Sequence, residues 1–437
     1  MYYCTNILSL RPFSSSMSVP TIHVPKRTAA ASLFSLPVIV AALGYFVDIY
    51  DLLLFGIVRV PSLKDLGLTP AQISTVGTSI LNWQMGGLLL GGILWGILGD
   101  KRGRLSVLFG SIITYSIANI ACGFVDQVTF MEPVAYYTLM RFIAGIGLAG
   151  ELGAGITLVS EVLPKELRAI GTSLVAGVGL LGAVVAYFTV QWFSWQMAFF
   201  VGGSMGFGLL LLRVGVVESG MFKNVTEQHG VHRGDFLSFF TNRERLIRYL
   251  KCIGIGIPTW FVISILATLS NEFGVALGID EEIKPGLAIM WAYVGLAVGD
   301  LLSGVLSQYL KSRKKAVALM MAFTLLITLI YLFAGVKSGT TFYTLCGLMG
   351  FGIGYWAMFV TIGAEQFGTN IRATAATTIP NMVRGLVIPM TMTYQLLKPE
   401  TGVIYAGAVV GLVAFLLGFY SILTVPETHG KDLDYLE

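Results

Sequence analysis

Long apolar runs separated by short polar segments recur from residue 33 to residue 425. They fall at about 33–58, 74–98, 105–124, 134–160, 167–191, 195–217, 249–273, 286–309, 316–335, 341–365, 373–397 and 402–425. Each is long enough to cross the roughly 30 Å hydrocarbon core of a bilayer as a helix. Lipid offers no partner for a bare peptide group, so a run of this kind predicts an α-helix. One long polar stretch, from Glu218 to about Arg248, divides the twelve runs into six and six. The expectation is an all-α membrane protein with twelve transmembrane helices in two six-helix pseudo-symmetric halves. Its parts are an N-terminal tail (1–32), a first half (33–217), a central loop (218–248), a second half (249–425) and a C-terminal tail (426–437).

Only 12% of the 437 residues are charged, against about 25% in soluble domains, so a water-facing surface of ordinary polarity is excluded. An even number of spans puts both termini on one side. Of the 28 Lys and Arg residues, Arg59, Lys64, Lys284, Lys337 and Lys398 fall on the opposite side, Arg141 and Arg384 fall within spans, and the other 21 lie on the terminal side. That bias predicts cytoplasmic termini in a cell membrane. The first 30 residues carry Arg11, Lys26 and Arg27, no acid, and three serines at 14–16. They read as a cytoplasmic tail or as a start assigned ahead of Met17, with an organelle transit peptide as the other reading.

The four cysteines are scattered, and the four histidines lie in polar segments without metal-ligand spacing. No G-x-S-x-G elbow and no Walker A spacing occurs. Neither an enzyme nor an ATP-driven pump is expected, and no cofactor or metal. The expected partners are a small-molecule substrate, protons and the lipid bilayer, with no nucleic acid, and the chain is expected to be a monomer.

A repeat underlies the two halves. After the fourth span the chain has Glu161 and Arg168, followed by Ala169 and Thr172-Ser173; after the tenth it has Glu365 and Arg372, followed by Ala373 and Thr377. The loops after spans two and eight are both short and basic, Gly99 to Arg104 and Lys311 to Lys315. Features that recur six spans apart imply a duplicated six-helix block. Such a repeat places the solute site between the halves near mid-membrane, with transport by rocking of one half on the other.

Gly96-Ile-Leu-Gly99-Asp100-Lys101-Arg102-Gly103-Arg104 resembles the G-x-x-x-D-[RK]-x-G-R signature of the major facilitator superfamily. Arg141 with Gly145, Gly147 and Gly150 resembles the family's helix 4 motif, Arg213 with Glu218-Ser219 its helix 6 ending, and Pro426-Glu427-Thr428-His429-Gly430-Lys431 the P-E-T-x-G-K tail of its sugar and metabolite porters. Asp48-Ile49-Tyr50-Asp51 is similar to the D-G-Y-D or E-W-Y-D start of the aromatic-acid and metabolite:proton symporters. The Gln-Leu-Ser of sugar porters is missing from Lys251 to Asn271, and the Gly-Pro of drug antiporters from Gly177 to Gly182. The resemblance implies that Gly96, Asp100, Lys101, Gly103, Arg104, Glu161, Arg168, Glu365 and Arg372 form a gate at the cytoplasmic ends of the helices. Simple anchoring of helix ends is the plainer account.

A charge inside a bilayer costs several kcal/mol unless paired or solvated, so each charged residue within a span is a functional candidate. Asp48 and Asp51 are three apart, on one helix face, roughly 20 Å from the terminal end of their helix. Arg141 sits at a similar depth on the fourth span. Two adjacent carboxylates in an apolar site cannot both stay ionised, which suits a proton carrier; the plainer account is a static pair between helices 1 and 4. Arg384 lies between Pro380 and Pro389 and offers a planar fork for a carboxylate, or a partner for Asp300. Glu151, Gln84, Asn381, Trp260 and Tyr355 are further candidates to line the substrate site, as are Asn82, Trp83 and Trp356. The reading is a secondary active transporter, most simply a proton-coupled symporter of an organic anion working by alternating access. The alternatives are a carrier of sugars or neutral metabolites, an exporter of cations or drugs, or a sensor without flux.

Overall fold

The computed structural model describes residues 34–102, 104–150, 163, 168–218, 236–368 and 371–429. All regular structure among them is helical. The first half contains α1 (Leu36–Asp65), α2 (Pro70–Arg102), α3 (Arg104–Cys122), α4 (Pro133–Leu148), α5 (Arg168–Trp192) and α6 (Trp195–Glu218). A short helix, Ser238–Thr241, precedes the second half. There α7 begins as Arg243–Phe261, widens into a π-helical stretch at Val262–Ala267 and resumes as Ser270–Leu277. Then come α8 (Pro285–Leu310), α9 (Arg313–Phe333) and α10, itself split into Gly339–Gly352 and Trp356–Glu365. α11 consists of Arg372–Gly385 and the first part of the helix Val387–Thr424, and α12 is the remainder of that helix beyond a kink at Gly402. Gly402 has φ 81° and ψ 165°, a conformation essentially reserved for glycine.

Helix starts follow local chemistry. Pro133 and Pro285 stand in the first turns of α4 and α8, where a missing N–H costs nothing. Glu132 accepts from the N–H groups of Val134 and Ala135 at 3.1 and 2.7 Å, and Asn242 caps α7 through Glu244 N–H at 2.8 Å.

The expected fold class holds, and the packing repeats with a period of six helices. In the first half α1 packs on α5 and α6, α2 on α4, and α3 on α4 and α6; in the second α7 packs on α11 and α12, α8 on α10, and α9 on α10 and α12. Across the halves α2 meets α11 and α5 meets α8, again as equivalents. Leu211, Val305 and Leu396 are exposed on the outside of the bundle, as lipid-facing positions are. One expectation needs correcting. α1 runs to Asp65, past the expected end at residue 58, so Arg59 is a fully buried helix residue rather than a loop charge.

Three helices of the second half, α7, α10 and α11, are interrupted, and the interruptions of α7 and α11 fall beside prolines. Pro389 lacks the N–H that would bond the Gly385 carbonyl, and α11 breaks at Leu386, two residues after Arg384. Pro258 interrupts the α7 ladder just before its π-helical stretch, where Thr268 N–H reaches back five residues to Ile263 O at 3.0 Å. In α10 the break spans Ile353-Gly354-Tyr355. Here α10 lies directly on α8: a Cβ added to Gly354 would stand 2.6 Å from Gly299 Cα.

Candidate functional site

The three breaks surround a small central cavity of about 10 Å³. Tyr45 and Ile49 of α1 and Leu180 of α5 form its wall from the first half. Thr259, Trp260 and Ile263 of α7, Tyr293 and Leu296 of α8, Trp356 of α10 and Arg384 of α11 form the wall from the second. Both halves contribute, as a site between repeats requires.

Arg384 is the charge in that wall. It is 1% exposed. Its Nη1 donates to Asn381 Oδ1 at 3.2 Å, and its Cζ stands 5.7 Å from the centre of the Trp260 ring. Its Nε has no partner among the described residues. Trp260 meets Trp356 edge to face, with ring centres 6.2 Å apart. Asn381 also donates from Nδ2 to Ala149 O at 3.1 Å, tying α11 to the first half. Tyr45 lies within electrostatic reach of Arg384, Tyr293, Asp48 and Asp300. A carboxylate placed in the cavity would therefore meet a desolvated guanidinium between aromatic faces. Asp300 does not pair with Arg384: its Oδ1 accepts from Ala357 N–H at 3.0 Å.

Asp48, Asp51 and Arg141 are all 0% exposed. Arg141 reaches α1 through the backbone, donating from Nη2 to Asp51 O at 3.1 Å. Its other bonds go to Asn119 Oδ1 at 2.7 Å and Gln84 Oε1 at 3.4 Å, and Gln84 Nε2 donates to Leu52 O at 3.0 Å. Gln84 is thus a brace between α1, α2 and Arg141 and does not line the cavity. The Asp51 carboxylate is packed against Gly202 of α6. Trp83 is 53% exposed on the outer surface, edge to face with Phe142. Tyr355 is buried behind the cavity, its hydroxyl donating to Ile255 O at 3.3 Å.

A second polar cluster closes the bundle at the end opposite the termini. Arg59 Nη2 donates across the halves to Thr268 O and Asn271 Oδ1, both at 3.0 Å. Ser74 Oγ donates to Glu272 Oε1 at 2.6 Å, and Lys398 Nζ reaches both Ser74 Oγ at 2.8 Å and Glu272 Oε2 at 3.1 Å. Tyr394 OH donates to Glu272 Oε2 at 2.9 Å, Gln395 to Thr78 Oγ1 at 3.1 Å, and Thr391 Oγ1 to Asn82 Oδ1 at 2.5 Å. Sequence reasoning found only Asn82 of this set. Lys398 sat just outside the eleventh apolar run, where a loop charge is ordinary, and Glu272 sat at the last turn of the seventh, next to its boundary.

At the terminal end, Glu365 pairs with Arg313 of α9, and Arg372 Nε donates to Phe367 O at 3.2 Å. Glu427, from the P-E-T tail, accepts from the Ser312 hydroxyl and from Arg313 and Lys314 N–H at 3.2 and 3.3 Å, fastening the tail to the start of α9. Burial disfavours the Glu427 carboxylate, but the Ser312 hydroxyl and the N–H groups of His429, Lys314 and Arg313 outweigh it and hold its pKa down to about 2. Glu151, Glu161 and Gly103 lie outside the described residues, as do the side chains of Asp100, Lys101, Arg104 and Arg168; Gly96 and those four lie in helical backbone. Of the residues expected to form the gate, only Glu365 and Arg372 have described side chains.

The sequence profile of the Major Facilitator Superfamily matches residues 41–392. The chain is 25% identical to the niacin transporter NiaP of Acinetobacter baylyi, over 90% of this chain and 94% of that one. It is 27% identical to the gentisate transporter of Corynebacterium glutamicum, over 60% and 61%. Its fold matches the proton:xylose symporter XylE with a TM-score of 0.70 at 17% identity, covering 93% of this chain and 98% of that one. A site shared between two six-helix repeats, in a chain carrying that profile from the first helix to the eleventh, belongs to a carrier and not to an enzyme. The chain is a member of the Major Facilitator Superfamily, a multi-pass membrane protein and secondary transporter of a small metabolite.

Proposed function

We propose that the protein is a proton-coupled symporter of a small aromatic carboxylate. The observation that carries this is Arg384, buried in the cavity wall over the Trp260 ring, with its buried Nε unpartnered among the described residues. Hydrogen bonds to a charged group contribute about 1.5–3 kcal/mol. Aromatic pairs add about 0.5–1.5 kcal/mol beyond area burial, which favours a planar ring between Trp260, Trp356 and Tyr45. The cavity, about 10 Å³, has room for roughly one water molecule, so a solute enters only with movement of its aromatic wall. That relatives are named for niacin and gentisate supports the same class.

Coupling falls to Asp48 and Asp51. The anion neutralises Arg384, and a proton neutralises one carboxylate of α1, so both halves can close around the cavity with little uncompensated charge. The positive-inside bias puts the termini in the cytoplasm. The Arg59, Ser74, Glu272 and Lys398 cluster is then the outer gate, closed in this structure.

The test is thermal stabilisation of the purified protein by nicotinate and by nicotinamide, which share a ring and differ in the carboxylate. A ligand that binds the folded state raises the melting temperature by mass action. Stabilisation by nicotinate or benzoate and none by nicotinamide is the expected result. Stabilisation by nicotinamide, a sugar or an organic cation instead removes the anion clamp.

A further inference from the structure

We infer that Asp300 is a positioning residue whose charge sets the geometry of the cavity's tryptophan wall, making the α10 break a second protonation-sensitive element in the half opposite Asp48 and Asp51. The inference rests on the cavity reading given above.

Asp300 stands about 15 Å from the terminal end of α8 at 1.5 Å per residue, well inside the bundle. It faces the place where α10 is interrupted, and Gly299 and Gly354 let the two backbones touch there. The second piece of α10 begins at Trp356 and runs ten residues to Glu365. Asp300 Oδ1 accepts the N–H of Ala357, one of the first donors of that piece, at 3.0 Å. No residue of α10 caps this start: Tyr355, at the N-cap position, makes no side-chain cap bond. The cap therefore comes from another helix. A carboxylate there also meets the positive end of the helix dipole, and a protonated acid loses most of that attraction.

The capped residue adjoins the site. Trp356 lines the cavity, meets Trp260 edge to face at 6.2 Å and Phe359 at 4.9 Å, and Trp260 carries Arg384 on its face. A change in the hold of Asp300 on the start of the half-helix moves Trp356 first, then the surface on which Arg384 rests. Asp300 makes no ion pair among the described residues that would lock it in the charged form. α1 brings Tyr45, within electrostatic reach, and α11 brings Arg384, whose hydrogen bond goes to Asn381. α9 has Arg313 and Lys314 at its terminal end, committed to Glu365 and to Leu423 O. α5 brings Tyr187, beside Gly286 at the far end of α8, and Tyr355 of α10 is turned to Ile255 O. The π-helical stretch of α7 carries no titratable side chain.

The experiment reads tryptophan fluorescence of the full chain against pH, with no solute present, in wild type and in a Trp356→Phe control that isolates the Trp356 contribution. The wild type is expected to show a pH transition that depends on Trp356. Asp300→Asn, which keeps the oxygen acceptor and removes the charge, abolishes that transition. Asp300→Glu keeps it at a shifted midpoint, and Asp51→Asn leaves it in place. A transition that persists unchanged in Asp300→Asn, or that disappears in Asp51→Asn, overturns the inference. Because no solute is used, that outcome leaves the anion clamp standing. Failure of nicotinate and benzoate to stabilise a protein that shows the Asp300-dependent transition sinks the clamp alone.

Discussion

Arg384 and Trp260 come from different helices, α11 and α7, yet the guanidinium carbon of one stands 5.7 Å from the ring centre of the other. The pairing follows from two helix irregularities: Pro389 ends the first piece of α11 just beyond Arg384, and Pro258 with the π-helical stretch places Trp260 on the cavity side of α7. An always-charged side chain is thereby kept on an aromatic face with one donor unpartnered among the described residues. Cation–π contact supplies about 0.5–2 kcal/mol in such sites.

Arg384→Ala is expected to weaken binding of aromatic carboxylates by about 10- to 150-fold, the equivalent of 1.5–3 kcal/mol. Arg384→Lys recovers only part of this, because a point charge does not replace a planar fork. Titration calorimetry with nicotinate and its amide checks the point. An equal loss for both ligands assigns Arg384 a structural role.

Asp51→Asn is expected to abolish accumulation driven by a proton gradient while leaving solute exchange between two loaded compartments intact. The carboxylate is packed against Gly202, away from the cavity lining, so the amide perturbs neither the solute site nor the Arg141 bond to Asp51 O. Proteoliposome counterflow and gradient-driven uptake, measured side by side, separate the two. Concentrative uptake by the variant contradicts the coupling role.

Glu272 is the acid at the centre of the closed end: Ser74, Tyr394 and Lys398 all converge on it. Glu272→Gln removes the ionic part of this cluster, and a loss of about 1–3 kcal/mol shifts the ratio of closed to open states by about 5- to 150-fold. In a chain freed of its four native cysteines, Thr78→Cys becomes labelled faster from that side once Glu272 is changed. An unchanged rate shows that the cluster does not hold the gate.

Glu427 gives a pH signature. Its folded pKa of about 2 lies below the ordinary 4.5, so its contribution to stability is complete above about 4.5 and is lost as pH falls towards about 2. Glu427→Gln is expected to lower the melting temperature at pH 6, with the deficit shrinking steadily below pH 4.5. The cap it provides is of the kind that contributes about 0.5–2 kcal/mol. A deficit independent of pH contradicts the assignment.

Much of this was legible in the sequence. Run length and the Lys and Arg bias gave the helix number and the expected orientation, and the motif loops pointed to the family. Asp48, Asp51, Arg141 and Arg384 stood out because charge is costly in lipid. Partnerships were harder to read. Gln84 looked like a solute ligand and Arg141 like a partner of the Asp48 and Asp51 carboxylates, but what each bonds depends on where Asn119 and the carbonyls of Asp51 and Leu52 fall, which only helix packing decides. Arg59 was read as a loop charge because a hydropathy boundary marks where apolar residues stop, not where the helix does. Tyr45 was within reach of sequence reasoning, since it lies three residues before Asp48 on the same helix face. Tyr293, inside a continuous apolar run, gave no signal. The break in α10 was prefigured by Gly350, Gly352 and Gly354, which also fit ordinary close packing of helices.

The central claim, that an aromatic anion and a proton move together through the Arg384 cavity, is tested most directly in proteoliposomes with an imposed inward proton gradient and labelled nicotinate, benzoate or gentisate. The account predicts that at least one of these accumulates above equilibrium, that a protonophore abolishes the accumulation, and that Arg384→Ala removes it. Accumulation of none of them, or accumulation that ignores the proton gradient, contradicts it.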